Sequence, residues 1–551
     1  MAGPVAPKDP TEKRAGFYVL LDKQVGGIPQ DDGRGRHSIF ISSDRLPSFA
    51  RVTGGIQDET VLKLLTDVAG FRQLVHSLGV SISGRPGMAV DFCLMCKGNP
   101  GSCHRFTFPA DGAERVITLE ALDWSGAETG LGEFRFEFPQ VSDMATVSVK
   151  CYVNDGYSIP EQDPDPAVDT GSAAYREMIA RSFLSAGNNQ RIQSFLRRAR
   201  AGEEVTVAFL GGSITQGAGA VPLQENCYAR LTWEGLRQRY GRNIRYIKAG
   251  VGGTPSETGL MRYDRDITRD GAVQPDLVVI EFAVNDSGDE TEGVFYESLV
   301  RRILNQPNHP AVILLFAVFA DDWNLKRRLA PIGYRYQVPM ADVLEAVSPQ
   351  FMAEDRVLTK RQYFYDVYHP SNLGHRIMAD CLLYLIQRLD RQQPEQEGEG
   401  YIPPYYGCDY VNLKLMDRNT PYPGAVVTPG SFTETDTDLQ AVPLDADSHN
   451  TPMFPFNWKK GRENEPFVLE LTCRRLALEF KDSGSLEFGK ALVTIDGEKH
   501  RMLDPTEAGW THCHTTVLFN KQTAAPHRVE ITMAPGDEEK TFTILGFGVV
   551  Q

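Results

Sequence analysis

The sequence predicts an α/β protein in which a three-layer α/β/α region with a parallel sheet lies between two antiparallel β-sandwich regions. Three observations predict this fold class. Continuous apolar runs, typical of strands buried on both faces, alternate with helical periodicity in the middle of the chain. Runs of alternating polar and apolar residues, typical of antiparallel strands, occupy both ends. Polar stretches with the composition of linkers separate the three regions.

The first region contains short alternating runs. Residues 133–138 and 145–153 place an apolar side chain at nearly every second position, which indicates strands with one buried face. The acidic, proline-rich stretch 160–166 follows and resembles a linker in composition. We therefore expect an N-terminal β-sandwich-like accessory domain over residues 1–170.

The second region begins with helical periodicity from about Tyr175 to Arg200. Buried strands are then predicted by apolar runs at residues 205–210, 244–247, 277–284 and 311–320. Even the longest of these runs is too short to cross a bilayer. Strands of this kind, separated by helices, predict a parallel sheet that is covered on both faces. We assign residues 171–395 to this region.

The third region follows the polar stretch 392–400 and returns to alternating patterns. Its predicted strands are residues 467–471, 476–480, 491–496 and 527–532. The dipeptide Asp496–Gly497 is a typical hairpin turn. Residues 396–551 are therefore expected to form a second, jelly-roll-like β-sandwich.

Length, charge and cysteine content bound the biological context. A chain of 551 residues predicts several domains. The formal net charge of −15 argues against a nucleic acid or an anionic membrane as partner. Nine cysteines, an odd number without dense pairing, favour a reducing compartment. The first residues lack the apolar core of a secretion signal, which predicts a cytoplasmic location unless a signal has been removed.

Ser213 is the most informative residue. It follows a predicted strand and two glycines, Gly211 and Gly212, which permit a sharp exit that leaves a side chain exposed at the carboxyl end of the strand. A serine in such a place can act as a nucleophile. By itself the pattern leaves two alternatives open, since many such turns only bind a phosphate or only reverse the chain.

Three later residues favour catalysis. Gly253 and Asn285 follow the second and third predicted strands, and His369 lies in the segment Asp366-Val-Tyr-His-Pro370 before an amphipathic helix. An imidazole is suited to activate a serine near neutral pH. Asp366 is near enough in sequence to hold the imidazole in one tautomer. The structural alternatives are an ordinary turn glycine, an Asx turn and a helix-capping loop.

Serine, glycine, asparagine and histidine thus occur in this chain order in the expected contexts. The pattern resembles the SGNH hydrolases, also called the GDSL esterase family, from about Glu203 to Leu389. The sequence Gly-Gly-Ser-Ile-Thr resembles the branch that deacetylates sugars and polysaccharides. Four positions depart from the family pattern without removing a reactive group: Gly212, Ile214, Lys248 and Ala283.

The resemblance implies a three-layer, flavodoxin-like fold and a serine esterase that needs no metal or organic cofactor. Ser213 is the expected nucleophile, His369 the base and Asp366 the residue that orients His369. The oxyanion is expected to be held by the backbone N–H groups of Ser213 and Gly253 and by the side-chain amide of Asn285. A glycine suits this position because the backbone must approach the substrate closely.

Other residues are weaker candidates. Tyr228, Trp323 and Tyr334 could stack on sugars in a cleft, or could equally belong to the core. His375 is expected to serve packing or to lie at the surface. A further set of possible soft metal ligands matches no strong zinc spacing: Cys93, Cys96, Cys103 and His104.

The predicted function is removal of O-acetyl groups from a plant-type polysaccharide or oligosaccharide, such as acetylated xylan or mannan, through an acyl-enzyme. The expected partner is the acetylated carbohydrate, with neither a nucleic acid nor a membrane. Two alternatives remain at this point: a lipid esterase or thioesterase of the same family, and an inactive carbohydrate-binding protein. The flanking β-sandwiches fit a polysaccharide-active enzyme only by analogy of fold.

Overall fold

The computed structural model describes residues 14–29, 33–42, 45–98, 103–160, 165–396, 398 and 400–551. Parts of both expected linkers lie outside the described residues, namely 161–164, 397 and 399. The start of the chain, used above for the expected location, also lies outside them. No described helix is both long enough and apolar enough to span a membrane.

The N-terminal region consists of two antiparallel sheets that pack on a common core. Its elements are β1 (Gly16–Gly26), β2 (Ile28–Pro29), β3 (Gly35–Phe40), α1 (Arg45–Val52), α2 (Glu59–Leu64), α3 (Val68–Leu74), β4 (Val75–Gly84), β5 (Ala89–Lys97), β6 (Cys103–Pro109), β7 (Arg115–Thr118), β8 (Gly130–Phe138) and β9 (Met144–Val153). The strand orders are β1-β9-β4-β7 and β2-β3-β8-β5-β6. The alternation that predicts β8 buries Phe134 and Phe136 completely. The three helices have no counterpart in the sequence-based prediction.

The middle region is the predicted three-layer α/β/α fold. Its elements are α4 (Ala173–Arg181), β10 (Phe183–Ser185), α5 (Gln190–Arg200), β11 (Val205–Gly211), α6 (Ser213–Gln216), α7 (Leu223–Asn226), α8 (Tyr228–Tyr240), β12 (Ile244–Gly250), α9 (Ser256–Met261), α10 (Tyr263–Asp266), β13 (Leu277–Glu281), α11 (Val294–Leu304), β14 (Ala311–Phe316), α12 (Lys326–Arg335), β15 (Met340–Asp342), α13 (Val343–Phe351), α14 (Lys360–Tyr363) and α15 (Asn372–Asp390). The sheet order is β10-β15-β14-β13-β11-β12. Strands β11 to β15 are parallel, and β10 is an antiparallel edge strand.

The register of this sheet determines where the site forms. Gly211, the last residue of β11, pairs with Gly250 of β12 on one side and with Glu281 of β13 on the other. The three central strands therefore end at the same level. Since ligands of open α/β sheets bind at the carboxyl ends of the strands, the loops that follow these strands meet at one edge.

The C-terminal region is antiparallel, as predicted. Its elements are β16 (Lys414–Met416), β17 (Val426–Thr428), β18 (Ala441–Pro443), β19 (Asn450–Pro452), β20 (Trp458–Lys459), β21 (Phe467–Asp482), β22 (Ala491–Ile495), β23 (Glu498–Leu503), β24 (His512–Met533) and β25 (Thr543–Val550). Eight of these strands form one sheet, and β18 and β19 pair separately. One face of the large sheet packs on the middle region, because Ala477 and Cys513 share a hydrophobic cluster with Leu260 and Met261 of α9.

Candidate active site

The predicted nucleophile lies where the sequence places it. The chain leaves β11 through Gly212, and Ser213 is the first residue of the short helix α6. A Cβ atom on Gly212 would lie 2.2 Å from Oδ1 of Asn285. A side chain at position 212 would thus displace Asn285, so glycine here lets two predicted site residues come together.

Ser213, His369 and Asp366 form a continuous hydrogen-bonded chain. Nε2 of His369 lies 2.9 Å from Oγ of Ser213, and Nδ1 of His369 lies 2.7 Å from Oδ2 of Asp366. Oδ1 of the same aspartate accepts the backbone N–H groups of Tyr368 at 2.8 Å and of His369 at 2.7 Å. This is the arrangement in which an imidazole is held in one tautomer next to a hydroxyl.

The charge on Asp366 is maintained in spite of its burial. Burial raises the pKa of this carboxyl group, but the His369 ring and the two backbone N–H donors more than offset that effect and hold the pKa below its usual value. An ionised Asp366 is the form that stabilises a protonated imidazole. The geometry therefore suits a base that becomes cationic during a reaction.

The loop that carries these two residues is well defined. Ser371 caps α15, accepting the N–H of Gly374 at 3.2 Å. The backbone N–H of Tyr365 donates to the carbonyl of His369 at 2.8 Å, which closes the loop on itself. His369 thus lies outside the helix, consistent with the proline that follows it.

The predicted oxyanion donors lie on the loops that follow β11, β12 and β13, three strands that end at the same level. Gly253 has a left-handed backbone with φ of +75°, a conformation that favours glycine. Asn285 is half-buried after β13, and its Oδ1 has no hydrogen-bond partner among the described residues. Ser213 begins a helix, where a backbone N–H has no intrahelical acceptor. Two backbone N–H groups and one side-chain amide are thus available near one hydroxyl.

The C-terminal region reaches this site through Gln440, a residue that sequence reasoning missed. Nε2 of Gln440 donates to the carbonyl of Gly252 at 2.7 Å, and its Oε1 accepts the N–H of Cys513 at 3.0 Å. A trans peptide is planar, with its C=O and N–H pointing in opposite directions. By holding the carbonyl of Gly252, Gln440 also sets the direction of the Gly253 N–H.

Two aromatic residues that begin or precede β24 also contact this loop. A Cβ atom on Gly253 would lie 2.9 Å from Cζ2 of Trp510 and 3.0 Å from Nε2 of His512. Nδ1 of His512 is 2.9 Å from Oδ2 of Asp482, whereas its buried Nε2 has no partner among the described residues. Trp510 is 45% exposed beside the site. No local sequence motif marks either residue.

The three aromatic candidates differ in outcome. Tyr228 is fully buried, with its hydroxyl 2.8 Å from Oγ1 of Thr215, so stacking on a sugar is excluded in this conformation. Tyr334 is exposed, but it lies near the end of α12, where Gly333 packs against Met340 at the start of β15. The starts of the parallel strands lie at the edge of the sheet opposite to the site. The predictions that Tyr228 and Tyr334 stack on a sugar are therefore wrong.

Trp323 remains near the site. Its ring packs on Phe319, whose ring lies 5.1 Å from that of Tyr368, the neighbour of His369. Trp323 is only half-buried. Its contact with a substrate stays a prediction.

The remaining candidates have structural surroundings. His375 is completely buried, accepting the N–H of Tyr228 at 3.2 Å through Nδ1, with Nε2 3.0 Å from the carbonyl of Ala218, so it serves packing. All nine cysteines are described and are free thiols. Cys93 and Cys103 lie on paired strands of the N-terminal region, and no group of three or more metal-ligating side chains occurs within the described ranges.

Comparisons with known proteins match one segment of the chain to a family model and the fold to solved structures. Residues 209–377 match the model of the GDSL-like lipase/acylhydrolase family. In fold, the chain is similar to a two-domain esterase (CEX) active on acetylated mannans, with 24% identity, a TM-score of 0.59 and coverage of 68% of this chain and 99% of that chain. A second structure of that esterase, co-crystallized with mannopentaose, has 24% identity, a TM-score of 0.58 and coverage of 68% and 98%.

A family two carbohydrate esterase from Cellvibrio japonicus covers 69% of this chain and 98% of its own, but at 12% identity and a TM-score of 0.25, too low to inform the fold. None of the curated proteins compared with the chain matches it. The matched segment contains Ser213, Gly253, Asn285 and His369, and in it the predicted and observed layouts coincide. Residues 209–377 thus match the GDSL-like lipase/acylhydrolase family in sequence and in the order of the site residues, and the protein is a carboxylic ester hydrolase.

Proposed function

We propose that the protein removes O-acetyl groups from a plant-type polysaccharide or oligosaccharide through an acyl-enzyme. The observation that carries this proposal is the hydrogen-bonded chain from Ser213 through His369 to Asp366, beside three donors for an oxyanion. An acetyl ester requires only a small acyl pocket next to such a nucleophile. The alcohol part of the substrate then extends across the surrounding surface.

In the proposed mechanism, Oγ of Ser213 attacks the acetyl carbonyl carbon while Nε2 of His369 takes its proton. Asp366 stabilises the resulting imidazolium. The negative charge on the carbonyl oxygen is stabilised by the N–H groups of Ser213 and Gly253 and by the amide of Asn285. The sugar alcohol leaves with the proton from His369, and water hydrolyses the acetyl-serine by the same route.

Two observations support a carbohydrate as the alcohol part. The similarity to the acetyl-mannan esterase extends over about two thirds of the chain, more than a hydrolase domain alone. Trp510 is exposed directly beside Gly253, and an exposed indole is well suited to pack against the face of a sugar ring. A polymer would thus lie between the middle and C-terminal regions.

The test is acetate release from acetylated mannan, xylan, xyloglucan and pectin, with the Ser213→Ala variant as the inactive control. We expect release from at least one of the four by the wild type and none by the variant. Hydrolysis of small aryl acetates together with no release from any acetylated glycan would contradict the proposal and favour a lipid ester or thioester substrate. A covalent adduct of a serine-directed phosphonate is expected on Ser213.

A role for Trp510 predicts a substrate-dependent loss. We expect Trp510→Ala to lower kcat/KM for an acetylated oligosaccharide by about fivefold or more, because an aromatic contact is worth on the order of 1 kcal/mol or more. Hydrolysis of an aryl acetate should change by less than about twofold, since that substrate does not extend to the indole. Steady-state kinetics on both substrates check this.

The matched control is Phe456→Ala, which removes another exposed aromatic side chain of the same region. It should leave both substrates unaffected. Equal losses on both substrates in the Trp510 variant would show that the indole supports the fold of the site rather than sugar binding.

A further inference from the structure

The N-terminal region contacts the segment 361–372, which carries Asp366 and His369. Lys23 of β1 is a cation with only 5% exposure, and its Nζ donates to the carbonyl of Arg361 at 2.6 Å and to the carbonyl of Phe364. Both carbonyls lie within five residues of Asp366. A buried ammonium group that binds two carbonyls of one short segment restricts the path of that segment.

A local irregularity of β1 directs Lys23 to this place. The pairing of β1 with β9 changes register between Leu20 and Lys23. Asp22, in between, has a left-handed φ of +48°. Bulges of this kind re-aim a side chain and increase the local twist of the strand. The irregularity is therefore what turns Lys23 towards the middle region.

Two further contacts join the same partners. Nε2 of His37 is hydrogen-bonded to the hydroxyl of Tyr365, whose ring belongs to the hydrophobic core of the N-terminal region. At the other end of the segment, Nδ2 of Asn372 donates to Oε1 of Gln24 at 2.7 Å. The segment is thus held at its beginning, its middle and its end by β1 and β3.

Four charged side chains act on Lys23. Burial lowers the pKa of Lys23 to about 8, although Asp366, Asp165 and Asp22 oppose that effect, and Arg361 adds to it. Asp366 is the nearest of these to the reacting groups, because it contacts His369 directly. The positive charge of Lys23 therefore acts on the carboxylate that contacts His369.

We propose that Lys23 is a positioning residue of the esterase site, which holds the start of the segment 361–372 so that Asp366 faces His369. The proposal rests on the roles proposed above for Ser213, His369 and Asp366, and it is independent of which sugar is deacetylated. It gives the N-terminal region a part in the reaction without any contact with the substrate.

The expected consequence of losing this cation is kinetic. Without Lys23, two buried carbonyls lose their donor and the segment shifts. Displacement of a catalytic group by about 1 Å can cost about 100-fold in rate.

The experiment compares full-length wild type with Lys23→Met, Lys23→Arg and Lys63→Met, the last being an exposed lysine of the N-terminal region that serves as control. Aryl acetate hydrolysis is measured from pH 5 to pH 9, with active sites counted by a serine-directed phosphonate. For Lys23→Met we expect kcat per active site to fall about 10- to 100-fold, with KM changed by less than about threefold.

Lys23→Arg, which retains a cationic donor, should keep most of the wild-type kcat per active site, and Lys63→Met should match the wild type throughout. An unchanged kcat per active site in Lys23→Met would overturn the proposal. Should Lys23→Met fail to fold, Lys23→Gln, which is shorter and has no charge, must show the same fall of kcat per active site with little change in KM. Residual hydrolysis by Ser213→Ala would instead contradict the site assignment itself.

Discussion

At the scale of single residues, the site depends on backbone groups whose direction is set by side chains from elsewhere. Gly253 offers its N–H to an oxyanion only if the peptide that joins it to Gly252 is correctly turned. Gln440 holds that peptide from the opposite side. A glycine with positive φ is free to adopt other conformations, so an external hydrogen bond is needed to define one of them.

This arrangement predicts that Gln440→Leu lowers kcat without a comparable change in KM. The donor of Gly253 matters most when the oxyanion forms, and loss of one such donor costs about 10²–10³ in rate. Asn285→Ala, which removes a second donor, provides the scale, and Gln440→Leu should approach its effect. Steady-state kinetics on an aryl acetate and the rate of phosphonate inactivation should fall together.

Gln238→Leu, at an exposed position of α8, is the control and should behave as the wild type. An increase of KM alone in Gln440→Leu would assign Gln440 to ground-state binding. An unchanged kcat would show that the Gly252–Gly253 peptide keeps its orientation without help.

The difference between predictable and unpredictable residues is visible at this scale. Ser213, Asn285 and His369 were predictable because each stands at a fixed offset from a local pattern, a strand end or a helix start. Gln440, Trp510 and His512 reach the site only through long-range packing of another sheet, which no local pattern encodes. The corrections at Tyr228 and Tyr334 have a related cause, since residue type does not reveal which way a helix faces.

At the scale of elements, β21 shows where periodicity misleads. Two separate strands are predicted at 467–471 and 476–480, whereas the structure has one continuous strand with a register shift. The polar pair Arg474–Arg475 interrupts the alternation in the sequence. Arg475 is nevertheless buried, because Asn520 accepts its Nε–H at 2.7 Å and Asp409 pairs with it at 3.0 Å.

The contact between β21 and α9 has a predictable pH dependence. Glu479 is fully buried there and is hydrogen-bonded to Thr515 and Thr258. Burial raises the pKa of Glu479 to about 7. Because the folded-state pKa lies above the unfolded value, the protonated carboxyl group stabilises the fold at low pH, and this contribution is lost as the pH rises from about 4.5 to about 7.

Glu479→Gln should therefore be as stable as the wild type near pH 4.5 and increasingly more stable than the wild type as the pH rises to about 7, above which the difference stays constant, because the amide carries no charge to bury. Thermal unfolding midpoints across this range check the prediction. Glu470→Gln, on an exposed position of the same strand, should show no such trend. A difference between wild type and Glu479→Gln that is independent of pH would contradict the pKa assignment.

At the scale of the whole molecule, the fold class was predictable, because each region has its own pattern of strands. The contacts between the regions were not predictable, because they involve single buried polar residues such as Lys23 and Gln440. The C-terminal sheet also shares a hydrophobic cluster with α9. Removal of the residues after about Gly400 would expose that cluster, so point variants are better tests of the C-terminal region than truncation.

The hydrogen bonds from Lys23 to the segment 361–372 have a consequence for the evolution of such proteins. The contact between the N-terminal and middle regions includes the segment that carries Asp366 and His369, and is not limited to the linker between the regions. A recombination that replaced the N-terminal region would therefore also replace part of the support of the triad. An enzyme of this fold without the N-terminal region would need other contacts to hold the same loop, and a graft of the middle region alone would lose the support that Lys23 provides.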